Sequence, residues 1–162
     1  MAEKPDGPEV RPPTVDDLRR ICRALDEAGA RYVLIGGFAV ILHGGERTTK
    51  DIDLLVDPGP DNVARLKKAL SVLEDDAAAE IAEDDLQRYT VVRVADEVLV
   101  DLLGAACGVT WAEAHASARI IDVEGTRVVL ADRRTLIRTK QTVRPSDAAD
   151  RAWLEALDDE ES

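Results

Sequence analysis

The chain has 162 residues, 45% hydrophobic, 33% charged and 3% aromatic, with a formal net charge of −12. A chain of this length buries a real core as one domain without disulfide or metal staples, and so acidic a balance excludes a surface that grips nucleic acid over its whole extent, leaving room for one local basic patch. No apolar run is long enough to span a membrane, the N-terminus lacks a signal-peptide core, and the two cysteines, Cys22 and Cys107, have no metal-ligand spacing, so the expected setting is reduced and cytoplasmic, with no membrane.

Residues 1–13 carry four prolines among charges and almost nothing to bury, which predicts a mobile tail. Thr14 followed by Asp17 reads as a variant capping box, and Leu18, Ile21, Cys22 and Leu25 share one face of the helix that Gly29 ends. Cys22 is therefore expected in the core. Tyr32 to Ile35 is an uninterrupted apolar strand, buried on both faces. Gly36 and Gly37 then precede a short helix, 38–43. The pair reads either as a turn that needs close backbone approach or as exposed amides at a helix start that hold the phosphates of a nucleotide. His43, ahead of two glycines, reads as a helix-end residue. A loop with Arg47, Thr49 and Lys50 returns to a second strand, 51–56, that opens with Asp51 and Asp53. Alternation on a strand points both acids to one face, roughly 7 Å apart along the backbone, and such a pair is unfavourable unless a cation sits between them. Magnesium is the natural candidate.

Pro58-Gly59-Pro60 ends that strand, and a helix from Asp61 carries the stripe Val63, Leu66, Leu70 and Leu73. Residues 74–85 form a polar connection with room for a short helix. Strands 89–94 and 98–103, joined through Ala95-Asp96-Glu97, are expected to pair as an antiparallel hairpin. Asp101 stands inside the apolar second strand, and taken alone it is equally a water-facing residue or a functional one. Gly104 to Gly108 reads as a loop holding Cys107, followed by a short helix at 111–117 with His115 as a structural residue. A hairpin over 119–130 turns at Glu124-Gly125. A helix from Asp132 to about Thr142 presents Arg133, Arg134, Arg138 and Lys140, with Arg144 beyond it, a basic cluster in an acidic protein. A last helix opens at Arg144-Pro145-Ser146-Asp147, with Ser146 as its cap.

The pattern Gly36-Gly37 followed by Arg47-x-Thr49-x-Asp51-x-Asp53 resembles the nucleotidyltransferase superfamily, in particular the small bacterial toxin–antitoxin and abortive-infection members. The resemblance implies an α/β fold, a mixed β-sheet with helices packed mainly on one side. Residues 14–130 would form the nucleotidyltransferase-like domain and 131–162 a helical C-terminal extension of it. It also implies a third carboxylate from a later strand beside the Asp-x-Asp strand, which is Asp101. Asp51, Asp53 and Asp101 would then be catalytic and bind Mg²⁺ or Mn²⁺, with a nucleoside triphosphate as substrate. Gly36, Gly37, Arg47, Thr49 and Lys140 would bind the nucleotide, with Arg47 and Thr49 either touching phosphate or bracing the Asp51 loop. Many members have serine where Gly37 stands, so a hydroxyl is missing at that point. Lys140 followed by Arg144-Pro145-x-Asp147-x-x-Asp150 is similar to the C-terminal segment of abortive-infection members. The implied reaction moves NMP from an NTP to a hydroxyl of a tRNA end, of a partner toxin or antitoxin protein, or of a small aminoglycoside-type compound. The competing reading is a weakly catalytic or non-catalytic antitoxin-like protein that masks a basic partner.

Overall fold

The structure, a computed structural model, describes residues 10–161, with side chains described to residue 157. The tail expected over residues 1–9 lies outside the described residues. Residues 10–13, the end of that stretch, are held against the domain. The Arg11 N–H donates to the Glu97 carbonyl at 3.1 Å, its guanidinium grips Asp17 at 2.6 and 2.8 Å, and Pro13 is buried.

Helix α1 (Val15–Ala28) starts with the expected reciprocal cap between Thr14 and Asp17, and ends where Gly29 adopts φ 68°, a left-handed conformation that favours glycine. Its stripe of Leu18, Ile21, Cys22 and Leu25 is fully buried. Burial pushes the Cys22 thiol up to about 12, which keeps it inert. Strand β1 (Tyr32–Ile35) runs into α2 (Gly36–Leu42), and β2 (Asp51–Val56) is followed by α3 (Pro60–Leu70) with proline in its first turn. A 3₁₀ turn (Ala77–Glu80) and α4 (Asp85–Arg88) fill the polar connection, ahead of the hairpin β3 (Val91–Ala95) and β4 (Leu99–Leu103). The fully buried Asp96 at that hairpin's turn accepts N–H bonds from Asp75, Ala77 and Glu97 at 2.7–3.0 Å, tying the connection down.

The stretch expected as a loop at Gly104 to Gly108 is instead part of a small ribbon, β5 (Ala105–Ala106) and β6 (Val109–Thr110), turning at Cys107 and Gly108. Both turn residues have positive φ, the requirement of a type I′ turn, and two-residue strands are too short to show periodicity in sequence. Helix α5 (Trp111–Ala116) leads to the hairpin β7 (Arg119–Val123) and β8 (Thr126–Leu130), which turns at Glu124-Gly125 as expected. Helix α6 (Arg133–Thr139) ends earlier than the expected Thr142. The chain leaves it at Lys140, whose carbonyl accepts a hydrogen bond from Arg151 of α7 (Pro145–Glu161). Ser146 lies within α7 rather than capping it.

Six strands form one mixed sheet in the order β3-β4-β2-β1-β8-β7. β1 is antiparallel to β2 and parallel to β8, while β2 is parallel to β4. The pairing of β2 with β4 decides the site, because it places the Asp-x-Asp strand against the strand that carries Asp101.

Candidate active site

One row of residues crosses the sheet. Ile35 on β1 faces Asp53 on β2, Asp53 faces Asp101 on β4, and Asp101 faces Arg93 on β3. With Asp51 two residues earlier on the same face of β2, three carboxylates converge, each offering an oxygen within 4.8 Å of the others. Asp51 and Asp53 are half-buried and Asp101 is buried. Burial is the largest cause that pushes the Asp53 carboxyl up to about 7, followed by the charges of Asp51 and Asp101, with Lys140 partly offsetting them. Hard oxygen donors crowded to the point of holding a proton fit a divalent cation such as Mg²⁺ or Mn²⁺, since its charge relieves the repulsion.

The two glycines are required by closeness to this row. Gly36 has φ 76°, and a Cβ there would lie 2.1 Å from Asp53 Oδ2. Both glycines belong to the first turn of α2, so the helix starts two residues earlier than its expected first residue, 38. A Cβ on Gly37 would lie 2.8 Å from the Thr49 hydroxyl and 3.3 Å from the Arg47 guanidinium carbon, so these side chains occupy the room a serine would need. Thr49 donates to the Asp51 carbonyl at 3.0 Å. Arg47 pairs with Asp150 of α7.

Lys140 is buried with its ammonium 2.9 Å from Asp150 and 3.5 Å from Asp147, and Arg144 donates to Asp147 at 3.2 Å. The basic cluster expected around α6 is thus largely paired, since Arg138 also reaches Glu113 at 3.2 Å. Arg134 is exposed. A cavity of about 290 Å³ opens over the acids, walled by Gly36, Asp53, Asp101 and Lys140 and by the apolar Val91 and Leu103. Arg47 and Thr49 stand behind Gly37, outside that lining. The exposed Cys107 faces the same cavity, its Sγ 3.3 Å from the Thr139 carbonyl. His43 is held by the Ala131 carbonyl at 2.9 Å and His115 stacks on Trp111, the structural roles expected of both.

Arg93 was missed in sequence. Its Nε donates to Asp101 Oδ1 at 2.8 Å and its Nη2 to Oδ2 at 2.9 Å, with Asp51 at 3.4 Å. A signal existed, because a hairpin centred on Glu97 pairs position 93 with position 101.

The glycine turn packed against the Asp-x-Asp strand, with Asp101 supplied by the parallel neighbour, is the arrangement that the resemblance to nucleotidyltransferases implied. The model of the AbiEii family, described as nucleotidyl transferase AbiEii toxin of type IV toxin–antitoxin systems, matches residues 17–145, and the chain belongs to that family. Among solved structures, the chain is similar in fold to a Thermotoga maritima protein classed as a nucleotidyltransferase. The TM-score is 0.58 at 15% identity, over 94% of this chain and 99% of that one. No curated protein matches the sequence. No helix among the described residues is long and apolar enough to cross a membrane.

Proposed function

We propose that the chain moves NMP from a nucleoside triphosphate to a hydroxyl acceptor, with a tRNA end or a partner protein of a cytoplasmic toxin–antitoxin pair as the acceptor. The observation that carries this reading is the convergence of Asp51, Asp53 and Asp101 beside a cavity that Asp53 and Asp101 line together with Gly36 and Lys140. Asp51, Asp53 and Asp101 would hold Mg²⁺ or Mn²⁺, which when bound would supply positive charge to the α-phosphate and the leaving pyrophosphate. Gly36, Arg144 and Lys140 line the cavity, where in our reading the Gly36 amide and these two cations would meet the triphosphate, while Gly37 is buried outside that lining. Arg47 and Thr49 serve the same nucleotide from the second row, by holding α7 and the start of β2 in place. The acceptor oxygen forms a bond to the α-phosphorus as the bond to the β-phosphate oxygen breaks, and a carboxylate of the triad, Asp101 in our reading, takes the hydroxyl proton.

The test follows transfer of label from α-labelled ATP, CTP, GTP and UTP under Mg²⁺ or Mn²⁺, with total tRNA, the co-expressed neighbouring protein and aminoglycosides as parallel acceptors. Label from one of the four is expected in tRNA or protein and lost in Asp53→Asn. Label only in the small compounds reassigns the acceptor, and none anywhere favours the antitoxin-like binding protein.

A further inference from the structure

We propose that Arg93 is a built-in counterion of the acidic site, which holds Asp101 in the ion-free protein and must release it for a divalent cation to bind. The inference rests on the metal-dependent reading above and adds a residue to it. Cross-strand register puts Arg93 at the end of the row Asp53–Asp101–Arg93, so the pairing is set by the sheet itself. Its fork engages both Asp101 oxygens and reaches on to Asp51, leaving two of the three acids already bound to a positive group.

Two other cations lie near the acids and both are differently placed: Arg144, at the cavity wall, donates to Asp147 rather than to the triad. Lys140 has 6% of its side chain exposed and is fixed between Asp147 and Asp150, so it stays where it is. The Arg93 side chain is 54% exposed at the outer strand of the sheet, with solvent to swing into, whereas the Asp101 side chain is only 9% exposed and has nowhere to go. A dication and a guanidinium sharing one carboxylate repel each other, and at this spacing the repulsion outweighs thermal energy even with strong solvent screening. Arg93 is the group that yields. It therefore sets how tightly the cation is held before any nucleotide arrives.

The test is Mn²⁺ affinity, measured by calorimetry near pH 8 without nucleotide, on wild type, Arg93→Ala and Arg93→Gln. The glutamine keeps a donor toward Asp101 and removes only the charge. Both variants should bind Mn²⁺ about tenfold more tightly than wild type. Arg93→Lys, which keeps the charge but loses the fork, should fall between. Adding Asp53→Asn to either tight variant should abolish the gain, which places the ion at the triad. Equal or weaker binding in both charge-removing variants overturns the proposal, because Arg93 would then be holding Asp101 ready for the ion. Failure of every protein, wild type included, to bind Mn²⁺ overturns the metal reading along with it. Since Arg93 is half-exposed, the variants should keep the wild-type circular dichroism spectrum.

Discussion

Asp53 on β2 and Asp101 on β4 stand directly side by side, at the same register of two parallel strands. Two acids far apart in the chain thereby share one small volume with Asp51, and the electrostatic behaviour of the site follows from that crowding.

The first consequence is a stability that depends on pH. Folding raises the Asp53 carboxyl from 3.8 to about 7, so between these values the folded chain holds a proton that the unfolded chain has released. Stability without divalent cation should accordingly fall as pH rises from about 4 to about 7 and level off above. Melting temperature measured across this range should show the slope in wild type and a flatter one in Asp53→Asn, with the variant the more stable by up to about 4 kcal/mol near pH 8. Parallel slopes would show that Asp53 does not carry the proton.

The glycines should behave differently from each other. Gly36→Ala combines a left-handed backbone with a Cβ that collides with Asp53, and should cost ~2 kcal/mol or more while displacing the carboxylate. Gly37→Ser meets side chains instead of backbone, the Thr49 hydroxyl first. It should destabilise alone and be partly relieved by Thr49→Ala, which a double-mutant cycle of denaturant midpoints will detect as coupling. Independent effects at 37 and 49 would contradict the shared space.

Asp150 joins α7 to the site by pairing with both Lys140 and Arg47. Asp150→Ala strips a nearly buried carboxylate from two cations and should cost about 3 kcal/mol, measured by urea unfolding. Arg47→Ala should cost less when Asp150 is already gone. A loss below about 1 kcal/mol for Asp150→Ala would mean that water replaces the carboxylate there.

Away from the acidic triad, Arg11 holds the Asp17 carboxyl down at about 2, helped by the Thr14 amide and hydroxyl. The sign is reversed relative to Asp53. This stabilisation is complete above pH 4 and is lost as pH falls through 2. Arg11→Ala should move the acid-unfolding midpoint to higher pH, read by circular dichroism, and an unchanged midpoint would show that the cap alone holds Asp17.

Much of this molecule was legible in the sequence. The capping box at Thr14 and Asp17, the four-residue buried strand, and the turn at Glu124-Gly125 appear where local chemistry put them. The ribbon around Cys107 did not, because two-residue strands carry no period. The tail expectation gave way at Arg11, whose partners Asp17 and Glu97 lie partly across the fold. The α6 cations looked like one basic surface because their neutralising acids, Glu113 and the pair in α7, come from other elements.

The chain's own order determined that Asp51 and Asp53 face the same way and that glycines precede them, since strand alternation and turn chemistry act between near neighbours. Family resemblance singled out Asp101, but its place beside Asp53 is a matter of register between β2 and β4, and that same register carried Arg93 onto both of its oxygens. Only the folded sheet decided this, because the energy of such contacts belongs to pairs of segments brought together in space and leaves no mark on either segment alone.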